Sequence, residues 1–580
     1  MAEAPVNQAV RYEPDEHPPL LLSVGIGLQV AILIIAPVVI TVAIVFRIAG
    51  QSAEYLAWGA FAALLVSGIA TVLQAVRVWR IGAGHILIMG TSGAFIAVCA
   101  AALLKAGPAT MASLIVVSSL FQFALAARLA LLRRIFTPVV CGTVIMLIAA
   151  TIMPIIFATM KDVPEGSSDF AAPVTALVTI IVTAALVLRA PPVLRLWSPI
   201  IGIAVGCAVA ASFGLYDVQY VLDAAWVGVP AGSWPGFDVT PGPEFWALLP
   251  AFVVVTLVGA IETIGDGVAI QQVSRRRQQA TDFRVVQGAL NADGVGNLFS
   301  GLAGTLPNTT YSSSVSLAQV TGVASRQVGI VIGVAIAAIA FFPKIAAVFI
   351  AIPGPVAAAF ITVIIGVLFV QGMRIIIEDG VDFRKAAVVG TAFWLGAGFQ
   401  NQWIFPELLG EGFVGVLLGN GMTSGAIVAI LMTLFMELTR PRRRRILVAL
   451  DEDAQPRVDE LLRRFASQSR WDDGATARLT AAGEETLAIL LQEEDEVTAG
   501  RPRRLSVSAR MAEGAAEVEF VTALEGENME DNLSYLGELP SIPDENEVSF
   551  RLLRHYASSV QHRKYHGVDI ITVSVDGPRS

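Results

Sequence analysis

Charge is scarce in this chain. Of its 580 residues 15% are Asp, Glu, Lys or Arg, against 55% hydrophobic residues and a mean hydropathy of +0.68. That apolar surplus exceeds what a soluble domain can bury, and excludes an ordinary globular protein in favour of one that crosses a lipid bilayer many times. Cysteine is rarer still. Cys99, Cys141 and Cys207 all fall inside apolar runs, which leaves no disulfide framework and no metal-ligand spacing; they read as small buried residues. The polar, proline-rich stretch 216–244 lacks Lys and Arg altogether. The start lacks a short apolar stretch with a basic flank, so residues 1–19 read as a cytoplasmic lead into a first span rather than a cleaved signal.

What is present divides in two. From Ile446 onward the chain holds 26 of its 48 acids and only 14 of its 39 bases. A long apolar part, 20–439, is therefore followed by a basic linker, 440–445, and an acidic soluble part, 446–580. Apolar stretches lie near 20–46, 55–76, 86–104, 110–131, 136–158, 171–188, 196–215, 246–272, 285–303, 307–324, 327–350, 355–373, 385–400 and 414–438, which makes fourteen segments. The arginines supply an independent check, because cytoplasmic loops concentrate Lys and Arg. Starting inside, alternate loops hold Arg77 and Arg80, Arg133 and Arg134, Arg189 and Arg195, 275–277 with Arg284, Arg326, then Arg374, Arg384 and Lys385; the opposite loops hold Arg47, Lys105 and Lys161. An even number of spans with both termini cytoplasmic follows.

The chemistry gathers between Phe252 and Thr321. Glu262 and Asp266 stand four apart in an apolar segment and so share one helical face. An ionisable group near mid-bilayer costs roughly 2.5 to 3.5 kcal/mol, so such groups face a cavity or a bundle interior. Asp293 follows in the next segment. The third segment, around 89–96, and the tenth, around 307–316, are short and rich in Gly, Ser, Thr or Pro, which predicts two broken helices. They are seven segments apart, so they occupy equivalent places in an inverted repeat of seven plus seven, with their half-helix ends meeting near the midplane.

At these residues the sequence resembles the nucleobase/ascorbate transporter family, the xanthine/uracil permeases. The resemblance runs through 66–71 with Leu73-Gln74, Gly93-Ala94-Phe95-Ile96, 138–147, 196–203, Ile261-Glu262-Thr263-Ile264-Gly265-Asp266, Asn291-Ala292-Asp293-Gly294, Pro307-Asn308-Thr309-Thr310-Tyr311 and 321–326, and covers about 20–438. It implies an all-α polytopic membrane fold with a core domain from spans one to four and eight to eleven, a gate domain from the others, and a homodimer made through the gate. It implies a nucleobase bound by Glu262, with Ala94 and Phe95 lining the pocket and Asp293 supporting it; Thr310, Tyr311, Ser313 and Ser314 are read as further pocket residues, and Asp266, Gln29 and Asn308 as coupling or support. The chain departs from the family where Ser313 and Ser314 replace a Gln or Glu followed by Asn, and where Val30 replaces a histidine. A serine cannot make the two-point contact of an amide or carboxylate.

A protonated Glu262 can donate to a base carbonyl and, after losing its proton, accept from a ring N–H. The expected activity is proton symport of a purine such as xanthine or urate, or of uracil, across the inner or plasma membrane. No enzyme chemistry, no cofactor beyond a proton gradient, no metal and no nucleic-acid partner is read. An anion permease of the sulfate-transporter type shares the expected architecture, and a sensor signalling through its tail is a further reading. The tail itself predicts an α/β regulatory domain: a strand at 446–450, a helix at 454–468, strands at 504–511 and 516–524, a helix near 549–560 and a strand at 568–575. It weakly resembles the ATP-binding domain of histidine kinases, with Glu484 or Glu485 in place of that family's first-helix acid and without the residues that would hold magnesium.

Overall fold

The computed structural model describes residues 10–126, 137–230, 234–276, 282–378, 381–409, 413–439, 444–451, 453–492, 503–512, 515–524, 556–565 and 568–577. The expectations resting on Arg133, Arg134, Arg277 and most of the basic linker lie outside these residues. The chain forms two compact units, 1–279 with 284–434, and 280–283 with 435–580.

In the first unit the helices are α1 (Leu20–Ile48), α2 (Ala53–Val76), α3 (Ile96–Lys105), α4 (Gly107–Ala126), α5 (Pro138–Thr159), α6 (Ala171–Arg189), α7 (Pro192–Ser212), α8 (Val218–Asp223), α9 (Pro243–Val273), α10 (Phe283–Ala303), α11 (Ser313–Thr321), α12 (Arg326–Ala340), α13 (Pro343–Ile350), α14 (Gly354–Glu378), α15 (Phe383–Gln400), α16 (Pro406–Leu409), α17 (Phe413–Gly419) and α18 (Gly421–Thr439). Among the described residues six are long and apolar enough to cross a membrane, namely α1, α2, α5, α6, α9 and α14; α12 and α13 make a seventh if taken as one span bent by 83°. The bend falls at Pro343, which has no N–H to continue α12 and instead opens α13 at its first position. Shorter apolar helices occupy the third, fourth, seventh and fourteenth expected segments.

Glycines set the closest helix crossings. A Cβ on Gly68 of α2 would stand 2.6 Å from the Gly333 carbonyl of α12, and one on Gly333 would stand 2.6 Å from the Gly68 carbonyl. Gly142 of α5 and Gly372 of α14 meet in the same way. Backbones this close exclude any side chain at the crossing.

Two short strands replace helix where the sequence suggested broken spans. β1 (Met89–Thr91) and β2 (Asn308–Thr310) pair antiparallel, Met89 with Thr310, Gly90 with Thr309 and Thr91 with Asn308. A 3-10 turn, Gly93–Phe95, then leads from β1 into α3, and β2 leads into α11. The ribbon satisfies backbone groups that would otherwise be stranded in hydrocarbon. Side chains complete it: Met89 N–H donates to Thr71 Oγ1 at 2.9 Å and Ile88 N–H to Ser314 Oγ at 2.9 Å.

The second unit is a five-stranded antiparallel sheet, β3 (Arg444–Ala449), β4 (Arg503–Ala512), β5 (Ala515–Leu524), β6 (Ser559–Tyr565) and β7 (Val568–Asp576), in the order β3-β4-β5-β7-β6. Helices α19 (Ala454–Gln468) and α20 (Asp473–Gln492) cover one face, where Leu462, Phe465, Leu479, Leu505, Val507, Phe520 and Val573 form the core. The helix expected near 549–560 is corrected at its end: Ser559 and Val560 begin β6 and pair with Ser574 and Val573. The rest of that segment, to residue 555, lies outside the described residues. Glu484 on α20 accepts from Gln455 Nε2 at 2.7 Å, tying the two helices together.

Candidate functional site

The site grows from α9, a 31-residue helix that packs against the 3-10 turn, α3, β2 and α11. Its apolar run is interrupted on one face by Glu262, Thr263 and Asp266. Asp266 is buried and its two oxygens are filled by hydroxyls from the second break: Thr310 Oγ1 donates to Oδ2 at 2.7 Å and Ser312 Oγ donates to Oδ1 at 2.7 Å. Ser312 precedes α11 but makes no capping bond to that helix, because its hydroxyl is turned to Asp266. The carboxylate thereby places a negative group beside the positive end of α11.

Asp293, 1% exposed on α10, is filled as well. Its Oδ2 accepts from Gln122 Nε2 at 2.8 Å and Thr263 Oγ1 at 3.1 Å, and its Oδ1 from Asn297 Nδ2 at 3.4 Å. Asn308 is held through its backbone N–H by Asn297 Oδ1 at 2.7 Å, while its side-chain oxygen accepts from Ser67 Oγ at 3.4 Å.

Glu262 differs from both. It is half-buried and its carboxyl makes no hydrogen bond among the described residues. Buried hydroxyls without partners remain on the two broken segments, at Ser92, Thr309 and Ser313. Ala94 and Phe95 are buried in the 3-10 turn, and the Phe95 ring lies 6.3 Å from that of Phe252 on α9, tilted by 53°. Of the pocket residues named from the sequence, Tyr311 and Ser314 are engaged by the protein as Thr310 is: Tyr311 OH donates to the Thr91 carbonyl at 2.9 Å, and Ser314 Oγ donates to the Tyr311 carbonyl at 2.6 Å. Gln29 is exposed on α1 and is not hydrogen-bonded to the acids. Among the described residues no three His, Cys, Asp or Glu side chains are grouped to hold a metal.

Sequence reasoning missed Gln122, Asn297 and Ser312. The first two carried a usable signal: an amide in an apolar run, and an i, i+4 pair, Asp293 with Asn297, of the same kind as Glu262 with Asp266.

A second polar cluster lies at one end of α9, outside the apolar segments. Arg276 donates to both Glu16 oxygens at 2.7 Å, and to the carbonyls of Val10 and Arg11. The guanidinium and the Glu13 N–H hold the Glu16 carboxyl below its usual range.

Acids gathered with two interrupted segments, in a unit with several helices long and apolar enough to cross a bilayer, are features of a multi-pass membrane protein. Residues 23–404 match the Permease family of xanthine/uracil permeases, and the chain belongs to that family. It is 26% identical over 445 residues to the xanthine permease XanP of Escherichia coli K12, covering 74% of this chain and 95% of that one. It is 28% identical over 443 residues to the xanthine permease XanQ of the same strain, with 73% and 93% covered. With the nucleobase transporter PlUacP of Paenibacillus larvae the identity is 26% over 430 residues, with 72% and 95% covered. Among solved structures, the transmembrane domain of the cyanobacterial bicarbonate transporter BicA matches at 16% identity and a TM-score of 0.45, covering 74% of this chain and all of that one.

Proposed function

We propose that this permease carries xanthine or a closely related nucleobase together with a proton, and that Glu262 is the group shared by both cargoes. The observation that carries the reading is the unequal state of the three acids: Asp266 and Asp293 have their oxygens filled by protein donors, and Glu262 does not. A carboxyl group without a protein partner can exchange a proton for the N–H of a heterocycle. The unpartnered Ser313 hydroxyl at the start of α11, and Ala94 and Phe95 in the 3-10 turn, are proposed as the remaining walls. Thr310, Tyr311, Ser314 and Asn308 hold the ribbon on which those walls stand.

The architecture proposed with this function has fourteen spans in two inverted sevens, core moving against gate, a homodimer through the gate and both termini cytoplasmic. Its support is the antiparallel pairing of two breaks seven segments apart. The tail, 446–580, is proposed as a regulatory or dimer-stabilising module without ATPase activity. A membrane potential adds about 2.3 kcal/mol per charge per 100 mV, so one co-transported proton concentrates a neutral base roughly fiftyfold at that voltage.

The test is Glu262→Gln in proteoliposomes under an imposed pH gradient, with radiolabelled xanthine. Gradient-driven accumulation should disappear while any downhill exchange persists. Accumulation that continues in the variant would assign coupling to another group.

A further inference from the structure

The cluster around Asp293 has two members that the permease reading does not use. Gln122 and Asn297 are buried on α4 and α10, in runs that are otherwise largely apolar or small, and each amide is bonded at both of its ends. Their orientations are fixed by what they meet. The backbone N–H of Asn308, first residue of β2, needs an acceptor, so Asn297 Oδ1 faces it at 2.7 Å; Asn297 Nδ2 then faces Gln122 Oε1 at 3.1 Å and Asp293 Oδ1 at 3.4 Å. That leaves Gln122 Nε2 for Asp293 Oδ2, at 2.8 Å. Read outward, the chain of bonds runs from α4 to α10 and ends on the backbone of the strand that carries Thr310. Buried networks of this kind hold their shape only when every member is satisfied.

We infer that Gln122 and Asn297 are positioning residues for the transport site: they fix strand β2 against α10, and with it Thr310 and Ser312 on Asp266 and the open hydroxyl of Ser313, relative to the helix bearing Glu262. Asp293 acts in this set as the acceptor that orients both amides. The consequence for transport rests on the permease reading above; the placing of β2 by Asn297 does not.

Asn297→Asp keeps an acceptor for the Asn308 N–H but opposes Asp293 and Gln122 Oε1 with a second acceptor. Exchanging the pair, Asp293→Asn with Asn297→Asp, restores a donor between positions 293 and 297 and keeps acceptors for Gln122, Thr263 and the Asn308 N–H; one bond, that to Gln122 Oε1, is lost. In full-length protein reconstituted in liposomes, initial rates of radiolabelled xanthine uptake should show KM raised about tenfold by Asn297→Asp, the scale of one buried hydrogen bond to a charged group. The exchanged pair should return KM to within about threefold of the wild type. A change in folded amount alone would lower the maximal rate and leave KM where it was. Hydrogen exchange at the Asn308 amide should be at least about tenfold faster in Asn297→Ala than in the wild type on the same scale. An unchanged KM in Asn297→Asp, an exchanged pair as impaired as the single variant, or equal Asn308 exchange rates would each overturn the inference. Should the wild type carry no xanthine, xanthine falls as the proposed cargo, and the Asn308 amide still decides whether Asn297 places β2.

Discussion

At the scale of single residues, the acids were the legible part and their partners were not. Glu262 and Asp266 announce themselves because charge four apart in an apolar helix has no cheap explanation, and Asp266 does meet the second break through Thr310 and Ser312. Nothing local reveals that Tyr311 turns its hydroxyl to Thr91 or that Ser314 accepts from Ile88, because those two bonds join segments far apart in sequence. Gly90 is a similar case. It reads as an ordinary helix-breaking glycine, yet the Tyr311 ring packs directly over it and occupies the place of a Cβ. Gly90→Ala must therefore push aside a ring whose far end is hydrogen-bonded. It should destabilise the purified protein by about 1–3 kcal/mol, as overpacked sites do. Thermal melts in detergent check this, and Gly90→Ala combined with Tyr311→Ala should melt no lower than Tyr311→Ala alone.

At the scale of elements, the positions of the apolar stretches follow hydropathy, but their internal form does not. The expected span at 327–350 bends by 83°, and the expected third and tenth segments spend three residues each as strand. Backbone pairing between remote segments leaves no periodic trace when it lasts only three residues. The strap at 10–16 was equally hidden. Arg11 N–H donates to the Gly322 carbonyl at 2.7 Å, Ala324 N–H to the Tyr12 carbonyl at 2.8 Å, and Ser325 Oγ to the Glu16 carbonyl at 2.6 Å. Arg326 pairs with Asp15, and Arg276 with Glu16, each at 2.7 Å. The strap thus ties the end of α9 to the exit of α11. Because the folded Glu16 carboxyl is depressed, its contribution is complete above the ordinary glutamate range and is lost as pH falls through the depressed value. The protection of the Arg11 and Ala324 amides, taken relative to the intrinsic exchange rate at each pH, should accordingly be greatest at neutral pH and fall below the normal glutamate range. In Glu16→Gln the same amides should exchange faster at neutral pH, with a flatter dependence on acid.

At the scale of the whole molecule, the split into an apolar part and an acidic part was plain from composition, since the acids crowd the last quarter of the sequence. The hydrogen bonds described at Asp266 and Asp293 come from Gln122, Thr263, Asn297, Thr310 and Ser312, all within the membrane unit. Deleting residues 440–580 should therefore leave xanthine uptake with a KM within about twofold of the full chain, a difference below roughly 0.4 kcal/mol. Uptake in proteoliposomes measures it, and a lost or strongly shifted KM would give the tail a direct hand in binding.

The ribbon also has a history to satisfy during synthesis. Ile88 and Ser314 are 226 residues apart, so at about 5–20 residues per second the first strand waits roughly ten to forty-five seconds for its mate to leave the ribosome. Through that interval its peptide groups need shelter from lipid, and Thr71, only 18 residues upstream of Met89, offers a local acceptor. The nascent first half thus carries a provisional anchor for a strand whose partner has yet to be made.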